Sequence, residues 1–197
     1  GGLTWSFPRE IQRSGKVHLC EPGIVRSPDG RQLAVLLREN ARAKNSHIIF
    51  SNDEGKTWSA PRELPVTLTG DRHTCKYAPD GRLVIVFRGR YAKGNVLSHT
   101  DGDCIGWVGT YEDLVKGRPG QYLIRLLDNL KGHDTTYAGV EVLPDEIGTF
   151  LVTTYGHWEE GEAPYIVSTR FYMKELDALA KEGKVLTLSE DFKSVSN

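Results

Sequence analysis

Three cysteines are all that this 197-residue chain carries: Cys20, Cys75 and Cys104. The number is odd, and no Cys-x-x-Cys or zinc-type spacing occurs. The sequence therefore indicates neither a disulfide framework nor a metal site, and the three read as free structural thiols. No apolar run approaches the ~18 residues of a membrane-crossing helix, so no membrane contact is expected. An excess of one charge is missing too: 25 Lys and Arg face 26 Asp and Glu, for a formal net charge of −1. With no basic run, nucleic acid and anionic membrane surfaces are poor partners. Linkers and low-complexity stretches are lacking, and no cofactor motif appears. No signal peptide is visible, although a piece of a longer protein would have lost one.

What the chain does have is a repeat. Trp5-Ser6-Phe7-Pro8-Arg9-Glu10 parallels Trp58-Ser59-Ala60-Pro61-Arg62-Glu63, 53 residues on. A Pro-Asp-x trio starts at Pro28, Pro79 and Pro144, at spacings of 51 and 65 residues. Self-similarity at this period marks propeller and repeat architectures. Short β-like runs lie between the turn signals. Strands are expected at 17–26, 31–38, 46–51 and 58–64; at 71–78, 82–88, 104–110 and 121–127; and at 135–143, 148–155 and 164–172. Short helices are expected at 111–116 and 173–181, the second with Leu176 and Leu179 on one side.

The segment Ser51-Asn52-Asp53-Glu54-Gly55-Lys56-Thr57-Trp58 reads Ser-x-Asp-x-Gly-x-Thr-Trp. Its Asp53 carboxylate can accept N–H groups of its own turn, Gly55 can take a positive φ, and Trp58 can open the next strand and pack inward. The pattern is similar to the Asp box of sialidase-like β-propellers. Gly1 to Ser6 resembles the tail of another such box, and this resemblance implies that the chain is the C-terminal part of a longer protein. The resemblance implies an all-β fold, a partial six-bladed β-propeller of about three four-stranded antiparallel blades with short helices. Blades would span roughly 11–66, 67–130 and 131–197, with 1–10 ending a preceding blade. Three blades do not close such a ring, so either N-terminal blades are missing or a homodimer covers the open faces.

In a four-stranded meander, the start of strand one and the end of strand two lie at the same end. That places His18, Glu21, Asp71, Arg72, His73, Asp134 and Tyr137 beside Arg38, Glu39, Arg88, Arg90, Tyr155, His157 and Trp158. The box turn lies at the opposite end. Singly, each of these residues reads equally well as a solvated loop residue; together they recur at equivalent places. Trp107 reads as core and Trp158 as the better sugar-stacking aromatic. His47, His99 and His133 read as surface or turn residues.

Leu19–Val25, then Pro28-Asp29-Gly30, then Leu36–Asn40, resembles the sialidase (neuraminidase) pattern upstream of an Asp box. Tyr137–Asp145 resembles the family segment that carries its tyrosine nucleophile. The resemblance implies Tyr137 as nucleophile with Glu21 as its partner, and Arg38 and Arg88 as carboxylate-gripping arginines. Arg72, His73, His157 and Trp158 complete the expected substrate contacts. A neutral phenol suits a substrate that carries its own carboxylate, because a carboxylate nucleophile would meet that charge. The partner implied is an acidic glycan, the compartment secreted or periplasmic, and no metal is required. The family's acid/base Asp has no match here, though Asp134 or Asp71 could be offered as an acid. Gly70-Asp71-Arg72-His73 is not part of the sialidase pattern. A non-catalytic glycan-binding propeller and a glycosidase or lyase for another acidic sugar remain open.

Overall fold

The computed structural model describes residues 4–13, 15–189 and 192. They form three antiparallel sheets and few helices, consistent with part of a β-propeller. The first sheet runs in chain order through β1 (Leu19–Arg26), β2 (Leu33–Glu39), β3 (His47–Ser51) and β4 (Arg62–Glu63). The second is built from β5 (Gly70–Tyr77), β6 (Leu83–Gly89), β7 (Cys104–Gly109) and β8 (Tyr122–Leu127). The third contains β9 (Gly139–Val142), β10 (Phe150–Gly156) and β11 (Tyr165–Phe171). Helices α1 (Tyr111–Lys116) and α2 (Met173–Lys181) follow β7 and β11. A last strand, β12 (Leu186–Thr187), pairs with β8.

Two expectations fail in detail. Among the described residues the sheets have four, five and three strands, with β12 joining the second sheet rather than the third. The strand expected over 58–64 is reduced to Arg62–Glu63. Trp58 therefore precedes the strand and packs, half-buried, against Val35, Leu37 and Ile49.

The core follows from the two-residue period of a strand. In β6, Leu83, Ile85 and Phe87 face the first sheet and join Leu36, Ile48, Leu68 and Trp107. Val84 and Val86 face the other way and join Val140, Phe150, Val152, Phe171 and the α2 residues Met173 and Leu176. β6 is thus buried on both faces, as its unbroken apolar run requires.

The Pro-Asp turns close the β1–β2 and β5–β6 hairpins alike. Gly30 N–H donates to Ser27 O and Gly81 N–H to Ala78 O, both at 2.9 Å, while Asp29 and Asp80 accept Arg31 and Arg82 N–H. The third turn is longer: Asp145 accepts Thr149 N–H at 2.9 Å. At the same end of the first sheet as its Pro-Asp turn, Asp53 clamps the Ser51–Trp58 turn. Its carboxylate accepts Ser51 Oγ, Thr57 N–H and Thr57 Oγ1 at 2.8, 2.9 and 2.6 Å, and Gly55 sits at φ 78°. These bonds, led by that from the Thr57 hydroxyl, hold the carboxyl at a pKa of about 2.

The inner strands β1, β5 and β9 lie side by side. Gly23 touches β5 so closely that a Cβ there would stand 2.1 Å from His73 O. Thr74 Oγ1 reaches Ala138 O at 3.2 Å, which joins β5 to the segment entering β9.

Candidate functional site

Each inner strand enters its sheet through a contorted residue. The β1–β2 pairing slips between Cys20 and Gly23, and the β5–β6 pairing between Asp71 and Thr74. Glu21 and Arg72 lie in these bulges at φ 48° and 61°, and Thr136, just before Tyr137, is at φ 58°. Left-handed backbone at non-glycine residues costs about 1–3 kcal/mol and concentrates at functional sites, where it re-aims side chains. Here it aims three of them at one point. Arg72 Nη2 lies 3.1 Å from Glu21 Oε1 and also bonds the Tyr137 hydroxyl. The Arg72 guanidinium covers the Tyr137 ring, 3.1 Å from its centroid. Arg38 Nη1 donates to the same Glu21 oxygen at 2.7 Å.

Behind this group sits Asp71, with no exposed surface. Arg88 donates to Asp71 Oδ2 through Nε and Nη2 at 2.9 and 2.5 Å. Arg42 grips both oxygens at 2.6 and 2.9 Å, and Arg38 Nε lies 3.2 Å from Oδ1. Burial alone would raise the Asp71 pKa, but the Arg42 and Arg88 hydrogen bonds outweigh it and hold the group below the usual carboxylate range. Asp71 is therefore a fixed anion and not an acid, which corrects its candidacy as a proton donor. The Arg88 Nη1 donates to His133 and Thr135 carbonyls.

On the open side, Tyr137 is 48% exposed and its ring packs against Tyr155, centroids 5.6 Å apart. The Tyr155 hydroxyl bonds the exposed Asp134 carboxylate; burial first, then this bond, raises the Tyr155 pKa. Glu21 Oε2 and Arg72 Nε are buried without a hydrogen-bond partner. Buried polar atoms of that kind are uncommon, and a ligand, an ordered water or strain accounts for them where they occur.

Glu21, Arg38, Arg72, Arg88 and Tyr137 are thus brought together as expected. His73 is not among them in use. Its side chain is buried, bonds Leu68 O at 2.9 Å and stacks on Phe87, and burial lowers its pKa, so it is a neutral structural group. His157 and Trp158 lie on the third sheet's rim. The Trp158 indole N–H donates to Tyr165 O at 2.9 Å, and His157 backbone bonds Asn129 and Leu130. His47 is buried, contrary to its reading as a surface residue, whereas His99 and His133 are exposed. Trp107 fills core.

Arg42 was missed. It lies in the loop after β2, at φ 60°, held there by the buried Glu39 carboxylate, which accepts Ala41, Ala43 and Lys44 N–H. A sequence signal does exist for the inner set: Glu21, Arg72 and Tyr137 each stand seven residues before the proline of a Pro-Asp trio. Among the described residues, no group of three or more His, Cys, Asp or Glu is placed to hold a metal ion.

No protein-family model matches the chain, and no curated protein matches it in sequence. Solved structures do match its fold. A protein of unknown function from Dyadobacter fermentans DSM 18053 aligns at 21% identity and TM-score 0.68 over 87% of this chain. A xylan β-1,4-xylosidase from Bacillus halodurans C-125 aligns at 12% identity and TM-score 0.51 over 90% of it. The chain spans 43% and 31% of those two proteins.

Proposed function

We propose that this chain belongs to a carbohydrate-active protein and forms the mouth of a site that cleaves a terminal anionic sugar with retention. The observation that carries this reading is the meeting of Glu21, Arg72 and Tyr137 from three inner strands. Tyr137 Oη attacks the anomeric carbon while Glu21 takes its proton. Arg72, bonded to both oxygens, keeps them close and stabilises charge on the phenol oxygen. The glycosidic C–O bond breaks, and Asp134, at the exposed rim, protonates the departing oxygen. Water then attacks the anomeric carbon and gives its proton to the Asp134 carboxylate, the bond from that carbon to the Tyr137 oxygen breaks, and Glu21 returns its proton to the phenol as the sugar leaves. Four guanidiniums against two carboxylates give the cluster a positive excess that draws an anionic ligand. Likeness to a sialidase-type site supports sialic acid as the sugar, gripped by Arg38 and Arg88. The internal pairing of those arginines with Asp71 favours a different acidic sugar.

The test is a panel of 4-methylumbelliferyl glycosides, sialoside and glucuronide included, given to the full-length protein. At least one should be hydrolysed, and Tyr137→Phe should slow it about a hundredfold or more. Equal rates in both proteins remove Tyr137 from the chemistry. Saturable binding without turnover supports a glycan-binding propeller instead.

A further inference from the structure

We infer that Asp71 fills, from within the chain, the carboxylate seat formed by Arg38, Arg42 and Arg88, and thereby excludes a substrate carboxylate from it. The inference rests on the reading of the mouth as a sugar site and names the class of sugar it takes. Two guanidinium forks and a third guanidinium edge closing on one carboxylate is the arrangement that holds a free carboxylate tightly. Here both oxygens of a side chain with no exposed surface already occupy it, at 2.5 to 3.2 Å. Nor does Arg88 keep an edge for a ligand, since its remaining nitrogen serves two carbonyls of the segment before β9.

The consequence is positional. The seat lies directly behind Glu21 and Tyr137, because Arg38 bonds both Asp71 and Glu21. A sugar acid whose carboxylate is attached to the anomeric carbon would have to place that group there as Tyr137 attacks. With the seat filled, the anomeric carbon that fits carries hydrogen instead. The site therefore takes an aldose, and an acidic one carries its charge elsewhere on the ring, as a hexuronic acid does. Asp71 is a positioning residue: it sets the substrate class through the arginines without touching substrate.

The experiment needs no turnover, so it separates this inference from the catalytic reading tested with Tyr137→Phe. Melting temperatures of the full chain and its Asp71→Ala variant are measured in sodium acetate and in sodium chloride of equal ionic strength. Asp71→Ala should melt lower in chloride and regain stability saturably with acetate, while the wild type responds equally to both salts. An Asp71→Ala protein that folds and ignores acetate overturns the inference. Should it fold in neither salt, calorimetric titration of the wild type with N-acetylneuraminic acid decides. No binding supports a filled seat, and binding that Arg42→Ala abolishes overturns it.

Discussion

Asp53 and Asp71 show how one residue type does opposite work. Asp53 is solvent-facing and closes a turn; its pKa lies near 2, below the 3.8 of an unperturbed Asp. A depressed folded-state pKa means stability that is present above about pH 4 and lost as pH falls towards 2. Asp53→Asn should therefore melt below wild type at neutral pH, with the gap closing by pH 2. A gap that is constant across that range would show that the ionised carboxylate is not what holds the turn. Asp71 is buried among three guanidiniums, and removing one partner of a buried ion-paired set costs about 3–5 kcal/mol. Asp71→Ala should lose roughly that much in denaturant unfolding. A loss under 1 kcal/mol would show that the arginines find water instead.

The strands and turns carry the site by bringing β1, β5 and β9 together at close range. Gly23→Ala should destabilise by about 3 kcal/mol or more, since the new methyl meets backbone at 2.1 Å and neither strand can yield without moving its sheet. Unfolding at unchanged denaturant midpoint would contradict the close approach. Phe87→Ala should cost about 3–5 kcal/mol by opening a cavity beneath both β5 and the first sheet. Most of these elements were legible in the sequence, because alternation and Pro-Asp turns are local signals. The short β4 was not: Trp58 spends its side chain on a contact with Val35, Leu37 and Ile49, and that choice depends on a neighbouring strand. β12 was not either, since two exposed residues pairing with β8 leave no periodic trace. His73 misled for a related reason. It stands in a run of polar residues, but the bulge at Arg72 shifts the strand's facing and turns the imidazole into the core.

Across the described residues, the three sheets are held by apolar clusters and by polar ties that run between them. One joins the β5–β6 turn to α2: Arg82 donates to both Asp177 oxygens at 2.7 and 3.0 Å. The pair is partly exposed, so Asp177→Ala should cost only about 1 kcal/mol, read as a small drop in melting temperature. The convergence at the mouth was legible as a set of positions, through the repeat and the alternation of hairpin ends. The pairing within the set was not, because which carboxylate each guanidinium takes depends on bulge geometry. The central claim is that Tyr137, joined to Glu21 through Arg72, is the group that meets the sugar. Its most direct test is peptide mapping by mass spectrometry after incubating the full-length protein with a fluorinated glycoside whose glycosyl–enzyme bond hydrolyses slowly. The predicted result is one sugar mass on the peptide containing Tyr137, absent from Tyr137→Phe. A label on another residue, with Tyr137→Phe still turning substrate over at the wild-type rate, would contradict it.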